Sequence, residues 1–244
     1  MLGKMGSIPT PSPIIDRVNR GRMNEMMKEK GTAERKVRKR AEREDRILKA
    51  AEQLILAKGF ANTTIDDIAE KADVSKGAVY LHYRTKDDIY FSIVAMALET
   101  MRDMFREAAG GQESGLEKFR AIGYSFYEFT KKYPAYSNIL YDANSPKPCH
   151  SLASEGRCQS LNNEIGRIMV VSIESGMKDG SIRSDVDPMA AAIIISSSLQ
   201  GLLKTVLSNR EFIGAIGLDE KYLVDFSIDL YGRSLMNTNH CGDK

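Results

Sequence analysis

Residues 63–86, TTIDDIAEKADVSKGAVYLHYRTK, decide the reading of this chain. Ile65, Ile68, Ala69 and Ala72 recur at i, i+3, i+4 and i+7, the apolar stripe of a short amphipathic helix. Thr64 is placed to cap its start, and Asp67 three residues on completes an acidic form of the capping box. Asp73, Val74 and Ser75 break the pattern, and Ser75 is a good N-cap for a second short helix from Lys76 to about Tyr83. Two short helices joined by a three-residue turn predict a helix-turn-helix, a motif whose second helix lies in the DNA major groove.

The second helix has the chemistry for that role. Val79 and Tyr83, four apart, face the small core, which turns Lys76, Gly77 and Tyr80 towards solvent or DNA. Gly77 is unfavourable inside a helix, so something must approach closely there, either the helix at 64–72 or a DNA backbone. Tyr80 and His82 can hydrogen-bond phosphate, and Ser75 with Lys76 sits at a helix N-terminus, where backbone N–H groups favour anions. Thr85 and Asp88 form a further capping box, with Lys86 in the first turn of the helix it opens. The competing reading is a generic three-helix core with an exposed lysine and tyrosine. Spacing, caps and turn all agree on the first reading.

The stretch 46–90, RILKAAEQLILAKGFANTTIDDIAEKADVSKGAVYLHYRTKDDIY, resembles the DNA-binding head of the TetR family of bacterial transcriptional regulators. The match lies in an opening amphipathic helix ending Lys-Gly-Phe, then Thr-Thr-x-x-x-Ile-Ala, Val-Ser-Lys-Gly-x-x-Tyr-x-His-Tyr and Lys-x-x-x-Ile-Tyr. It covers about 45 of the 244 residues strongly; the remainder is similar to the family in helical layout alone. The resemblance implies an all-α homodimer in which a ligand in the C-terminal domain weakens operator binding. By position it implies DNA contacts at Thr64, Ser75, Lys76, Gly77, Tyr80, His82 and Lys86.

Outward from this head the charge is uneven. Residues 1–46 hold 13 Lys/Arg against 7 Asp/Glu, a net of +6, while the chain as a whole is only +2, leaving −4 on the rest. Residues 1–16 are rich in Pro and Ser and are expected to be disordered, and 17–46 are dense in charge. The reading is a flexible basic extension over 1–42 that neutralises phosphates beside the head or enters a minor groove. The alternative is a solvated tail that keeps the protein soluble. Helix one is expected from Arg43 to Lys58 with Gly59 as its C-cap, giving a DNA-binding domain at 43–90 and a helical effector-binding and dimerisation domain at 91–240.

In that second domain the periodicity predicts a long helix from Lys86 to about Ala108, then helices near 115–131, 133–142, 152–178, 187–208 and 219–236, with a loop at 143–151. No strand alternation appears, so the class is all-α. Phe119, Phe126, Tyr127, Tyr136, Ile139, Leu140, Ile165, Met169 and Leu199 are candidates for an effector cavity, although aromatics at helical spacing are more often plain core. The helices at 187–208 and 219–236 resemble the family's dimer-forming pair. Ala191, Ala192, Ile195, Ser198, Leu199 and Leu202 on the first include small residues that permit close packing against a partner helix, and Leu223, Phe226, Ile228, Leu230 and Tyr231 on the second leave more apolar surface than one inner face absorbs; the alternative is an ordinary monomer core.

Enzyme motifs are not found: there is no G-x-S-x-G, H-E-x-x-H, P-loop or G-x-G-x-x-G. His82, His150 and His240 are the whole histidine complement, and Cys149, Cys158 and Cys241 show no paired spacing. No cofactor or metal is expected, since Cys149, His150 and Cys158 match no zinc pattern. Short apolar runs and the lack of an apolar leader core predict a cytoplasmic protein without a membrane span. The expected function is a repressor acting as a homodimer on a palindromic operator and released by a small molecule. The alternative is a nucleoid-type coater that binds DNA through charge alone.

Overall fold

In the computed structural model, residues 13–141 and 152–238 are described, with side chains over 34–140 and 156–238. The expected loop at 143–151, with Cys149 and His150, and the two residues His240 and Cys241 lie outside the described residues.

The first four helices are α1 (Pro13–Lys58), α2 (Ile65–Lys71), α3 (Lys76–Tyr80) and α4 (Lys86–Gly110). Their caps form as the side chains dictate. Thr64 Oγ1 accepts from Asp67 N (3.1 Å) while Asp67 Oδ2 accepts from Thr64 N (2.8 Å). Thr85 and Asp88 repeat the device at the start of α4, and Ser75 caps α3 by accepting from Ala78 N at 3.2 Å. Each cap satisfies N–H groups that a helix start leaves without partners. Asp73, at φ +53°, takes the left-handed conformation that turns α2 into α3. Ile47, Ile68, Val79 and Ile89 are fully buried and lock α1 to α4 into one head. The second motif helix ends at Tyr80, earlier than periodicity suggests, and Leu81 to Tyr83 form a tight turn.

α1 starts 30 residues before the expected Arg43. The stretch 17–46 is rich in Arg, Lys, Glu and Met, all good helix formers that outweigh Gly21 and Gly31, with no proline after Pro13 to interrupt it. The charge density read as an arm is therefore carried on a helix continuous with the head.

The body is α5 (Gly115–Lys132), α6 (Pro134–Tyr141), α7 (Leu152–Asp179), α8 (Pro188–Ser208), α9 (Arg210–Ala215) and α10 (Glu220–Leu235). Expected boundaries match to within two residues; α9 is additional, and its six residues are too few to show a periodic stripe. α4 runs through both parts, about 37 Å at 1.5 Å per residue, packing on α1 at one end and on α5 and α7 at the other. α6 wedges between α1, α4 and α5. Among the described residues no strand forms; an isolated antiparallel bridge joins Ile182 to Met236 and ties the end of α7 to the end of α10.

α8 is apolar on two sides. Ala192, Ile195, Leu199, Leu203 and Val206 are buried in the bundle, whereas Met189, Ile193 and Ile194 are open. Having both stripes makes α8 long and apolar enough, by length and composition, to cross a membrane, which the short runs of the sequence did not reveal. On α10, Tyr222, Phe226 and Leu230 form an exposed row at i, i+4 and i+8, with Tyr222 and Phe226 stacked at 6.2 Å. The unburied apolar surface of the pair is thus this outer face. Ala192, Ile195, Leu199 and Ile228, read from sequence as partner-facing, pack inside the chain.

Candidate nucleic-acid interface and ligand cavity

Of the seven head residues singled out by sequence, four form one exposed ridge. Ser75, Lys76 and Gly77 are exposed around the start of α3, and Tyr80 is 48% exposed one turn on. A Cβ on Gly77 would meet nothing nearer than the Ser75 hydroxyl at 4.0 Å, so α2 does not require this glycine. The space in front of it is open to the outside of the head. Lys76 Nζ reaches back to Asp66 at 2.9 Å, and that hydrogen bond raises the lysine pKa, keeping it a cation.

The other three are engaged within the head. The Thr64 hydroxyl is spent on its cap and on Asp67. Asp67 also accepts from Lys58 Nζ at 2.7 Å, and these bonds, Lys58 first and Thr64 next, hold its carboxyl well below the usual carboxylate range. Lys86 donates to Phe60 O at 2.8 Å and lies 4.1 Å from the Phe60 ring centroid, a cation–π contact that staples α4 to the loop after α1. The His82 side chain is 4% exposed, 3.8 Å from Glu44 on α1. Beside it Tyr83 donates to the same carboxylate at 3.3 Å, and burial followed by the Glu44 charge pushes its phenol up. Spacing placed His82 and Lys86 near the DNA face, but tertiary packing turns both side chains inward.

In the body, α4, α5, α7, α8 and α10 enclose a cavity of about 280 Å³. Phe119, Phe126, Ile165, Met169 and Leu199, all singled out by sequence, line it. Tyr127, Tyr136, Ile139 and Leu140 do not. Tyr127 is buried at the α5–α10 seam, where burial and then Glu220 raise its pKa. Tyr136 stacks on Tyr133 at 5.8 Å, and the Ile139 carbonyl accepts from the buried Tyr90 hydroxyl at 3.0 Å. Those α6 residues build the junction between head and body, because α6 packs against α1 and α4 and not around the void.

The cavity adds Met101 and Phe105 from α4, Ile122 and Gly123 from α5, Asn162 and Gly166 from α7, Ile195, Ser196 and Gln200 from α8, and Ile228 and Tyr231 from α10. A signal for some of these was present: 119, 122, 123, 126 on α5 and 162, 165, 166, 169 on α7 are single i, i+3, i+4, i+7 stripes. The aromatic members of these stripes mark a candidate cavity in sequence, whereas the small and polar members are indistinguishable there from ordinary helix positions. The α4 and α5 walls are apolar; the polar groups Asn162, Ser196, Gln200 and Tyr231 come from α7, α8 and α10. No Asp, Glu, Lys, Arg or His lines the cavity. Among the described residues no cluster of acidic, His and Cys side chains has the form of a metal site, and Cys158 is buried with its thiol against Phe91 O.

Residues 47–93 match the family model described as bacterial regulatory proteins, tetR family. The chain is 35% identical over 92 residues to the HTH-type transcriptional regulator YerO of Bacillus subtilis, a match covering 36% of this chain and 32% of that protein. It is 25% identical over 147 residues to the HTH-type transcriptional repressor KstR2 of Mycolicibacterium smegmatis, covering 60% and 71% of the two. The whole fold is similar to that of the regulator FadR from Bacillus subtilis in complex with stearoyl-CoA, with a TM-score of 0.64, 17% identity and coverage of 78% and 98%. Head motif and family model agree on residues 47–93, which match the DNA-binding head of the tetR family of bacterial regulatory proteins, and the helical fold around them is similar to that of solved regulators of this kind.

Proposed function

We propose that the protein is a dimeric transcriptional repressor whose heads (43–90) read a palindromic operator and whose helical body (91–240) holds a small effector that releases the DNA. One observation carries this reading. α4 begins in the head, where Lys86 staples it to Phe60, and about 22 Å along the same rod its Met101 and Phe105 wall the cavity. A ligand that displaces this wall moves a rigid element shared with the head. A coupling of about 1–3 kcal/mol between the sites would give a 5–150-fold response.

The cavity supports an effector whose enclosed part is uncharged, because nothing lining it would pair a buried charge. An apolar body against α4 and α5, with hydrogen-bonding groups towards Asn162, Gln200 and Tyr231, suits the lining. FadR and KstR2, by their names, are a fatty acid degradation regulator and a ketosteroid regulator, and ligands with such apolar bodies belong to the class proposed here. The open stripes of α8 and α10 support a helical dimer seam that sets two α3 ridges about one DNA turn apart, roughly 34 Å. The protein would act in the cytoplasm, where its DNA is. The test is selection of bound duplexes from a random library at about 150 mM salt, where non-specific charge binding is weakened. A recovered palindrome is the expected result. Recovery without any motif would replace the repressor with a charge-driven coater.

A further inference from the structure

We propose that the charged N-terminal part of α1 is a rigid clamp for the DNA sugar-phosphate backbone flanking the site that α3 reads. The proposal rests on the reading that the α3 ridge meets DNA. Lys36, Lys39, Arg40 and Arg43 fall at i, i+3, i+4 and i+7 and therefore share one face of the helix. With Leu81 and His82 they line an open groove of about 390 Å³ at the C-terminal end of α3. The basic face thus adjoins the exposed ridge of the same head.

Among the described residues none of these four cations has an acidic partner, while the acids at 42, 44 and 45 are occupied elsewhere. Glu42 pairs with Arg38 (3.4 Å), Asp45 with Lys49 (2.8 Å) and Glu44 with Tyr83 (3.3 Å). Like charges one turn apart on a helix repel. A face that concentrates four of them is unfavourable in the free protein and is relieved by a polyanion. Its orientation is fixed, because the same helix continues into Ile47, Ala50, Ala51 and Ile55, all buried in the head core.

Shape decides how DNA is met. An α-helix with side chains is about 10 Å across, and the minor groove of B-DNA is about 6 Å wide. The helix cannot follow that groove as an extended arm would, so it lies on the phosphates. From Lys36 to Arg43 the face spans about 10 Å. At one charge per about 1.7 Å of duplex, counting both strands, it covers about three phosphates on the strand it faces.

The experiment compares the full-length protein with a K36Q/K39Q/R40Q/R43Q variant. Gln keeps helix propensity while removing charge. Binding is measured from 50 to 200 mM salt on the selected duplex and on a scrambled duplex of equal length. Three lost phosphate contacts lower the slope of log K against log salt by about 2.7, so the parent protein loses about 40-fold more affinity across this range than the variant. The expected result is that loss on both duplexes, with the preference for the selected site retained. A slope change no larger than that of a control with four cations neutralised in the body (R102Q/R106Q/R167Q/R210Q) would overturn the clamp. If the quadruple variant does not give the helical signal and melt of the parent, R40Q alone, expected to lower the slope by about 0.9, carries the test. A parent without site preference defeats the repressor reading, but the slope on scrambled DNA still judges the clamp.

Discussion

Gly166 offers a perturbation whose stability and ligand effects run in opposite directions. It lies within α7 at negative φ, and a Cβ built there meets nothing within 4 Å, because the position faces the cavity. Replacing a mid-helix glycine with alanine gains about 0.5–1 kcal/mol by removing backbone freedom from the unfolded chain. For a chain of this size that raises Tm by about 1–4 °C. Gly166→Leu keeps most of that gain and projects a branched side chain into a void of about 280 Å³. A ligand forced to share the space meets an overpacking cost of about 1–3 kcal/mol, which weakens binding by about 5- to 150-fold. The assay pairs thermal unfolding with titration of Nile red, an uncharged environment-sensitive dye, followed by DNA binding. Expected are a raised Tm for both variants, weakened dye binding for Gly166→Leu and undiminished DNA affinity. A lowered Tm for Gly166→Ala would show that the space is not open. Parental dye affinity in a well-folded Gly166→Leu would show that the cavity is not the ligand site.

Other perturbations test separate parts. Gly115→Ala should lower stability by about 1–3 kcal/mol, read as a drop in Tm, because its Cβ would lie 2.0 Å from Gly176 N, a backbone atom of α7 that cannot swing away. Lys86→Ala should cost about 1–2 kcal/mol through the lost Phe60 contacts and leave the salt slope of DNA binding unchanged. Lys76→Ala should instead leave Tm nearly unchanged and reduce that slope by about 0.9. Asp67 is depressed in the folded state, so its contribution is present above the unfolded pKa of about 4 and is lost as pH falls below it. The stability difference between parent and Asp67→Asn, measured by denaturant titration, should therefore shrink from pH 5 to pH 2. Phe226→Arg places a charge in the exposed α10 row and should shift sedimentation from dimer to monomer without lowering helix content.

The head was legible in the sequence because its determinants are local. Caps at Thr64, Ser75 and Thr85 act on N–H groups two or three residues away, and the stripe through Ile65, Ile68 and Ala69 needs one face and one period. The same logic gave the all-helical class and most helix ends in the body. Resemblance to the family supplied the expected division of labour, which no local rule contains.

Contacts between distant segments were not legible. His82 and Lys86 sit at the right spacing for an exterior face, yet Glu44, 38 residues earlier, draws one inward and Phe60 captures the other. Tyr136 and Tyr127 have the composition of a ligand site and belong instead to a junction and a seam, because the packing of α6 and α10 decides which face of a helix meets a void. A void is a property of five helices at once, so a stripe on one of them, as on α5 and α7, does not tell whether it meets a void or a packed neighbour. The arm at 17–46 was ambiguous for a different reason: charge reports what the segment repels and attracts, whereas its attachment to a buried helix fixes where those charges stand. Sequence alone determined the motif, the caps and the helical class, since these rest on interactions within a turn or two of chain. Tertiary structure alone decided which side chains face the exterior, the cavity or the core, since burial is settled by whatever the fold brings alongside.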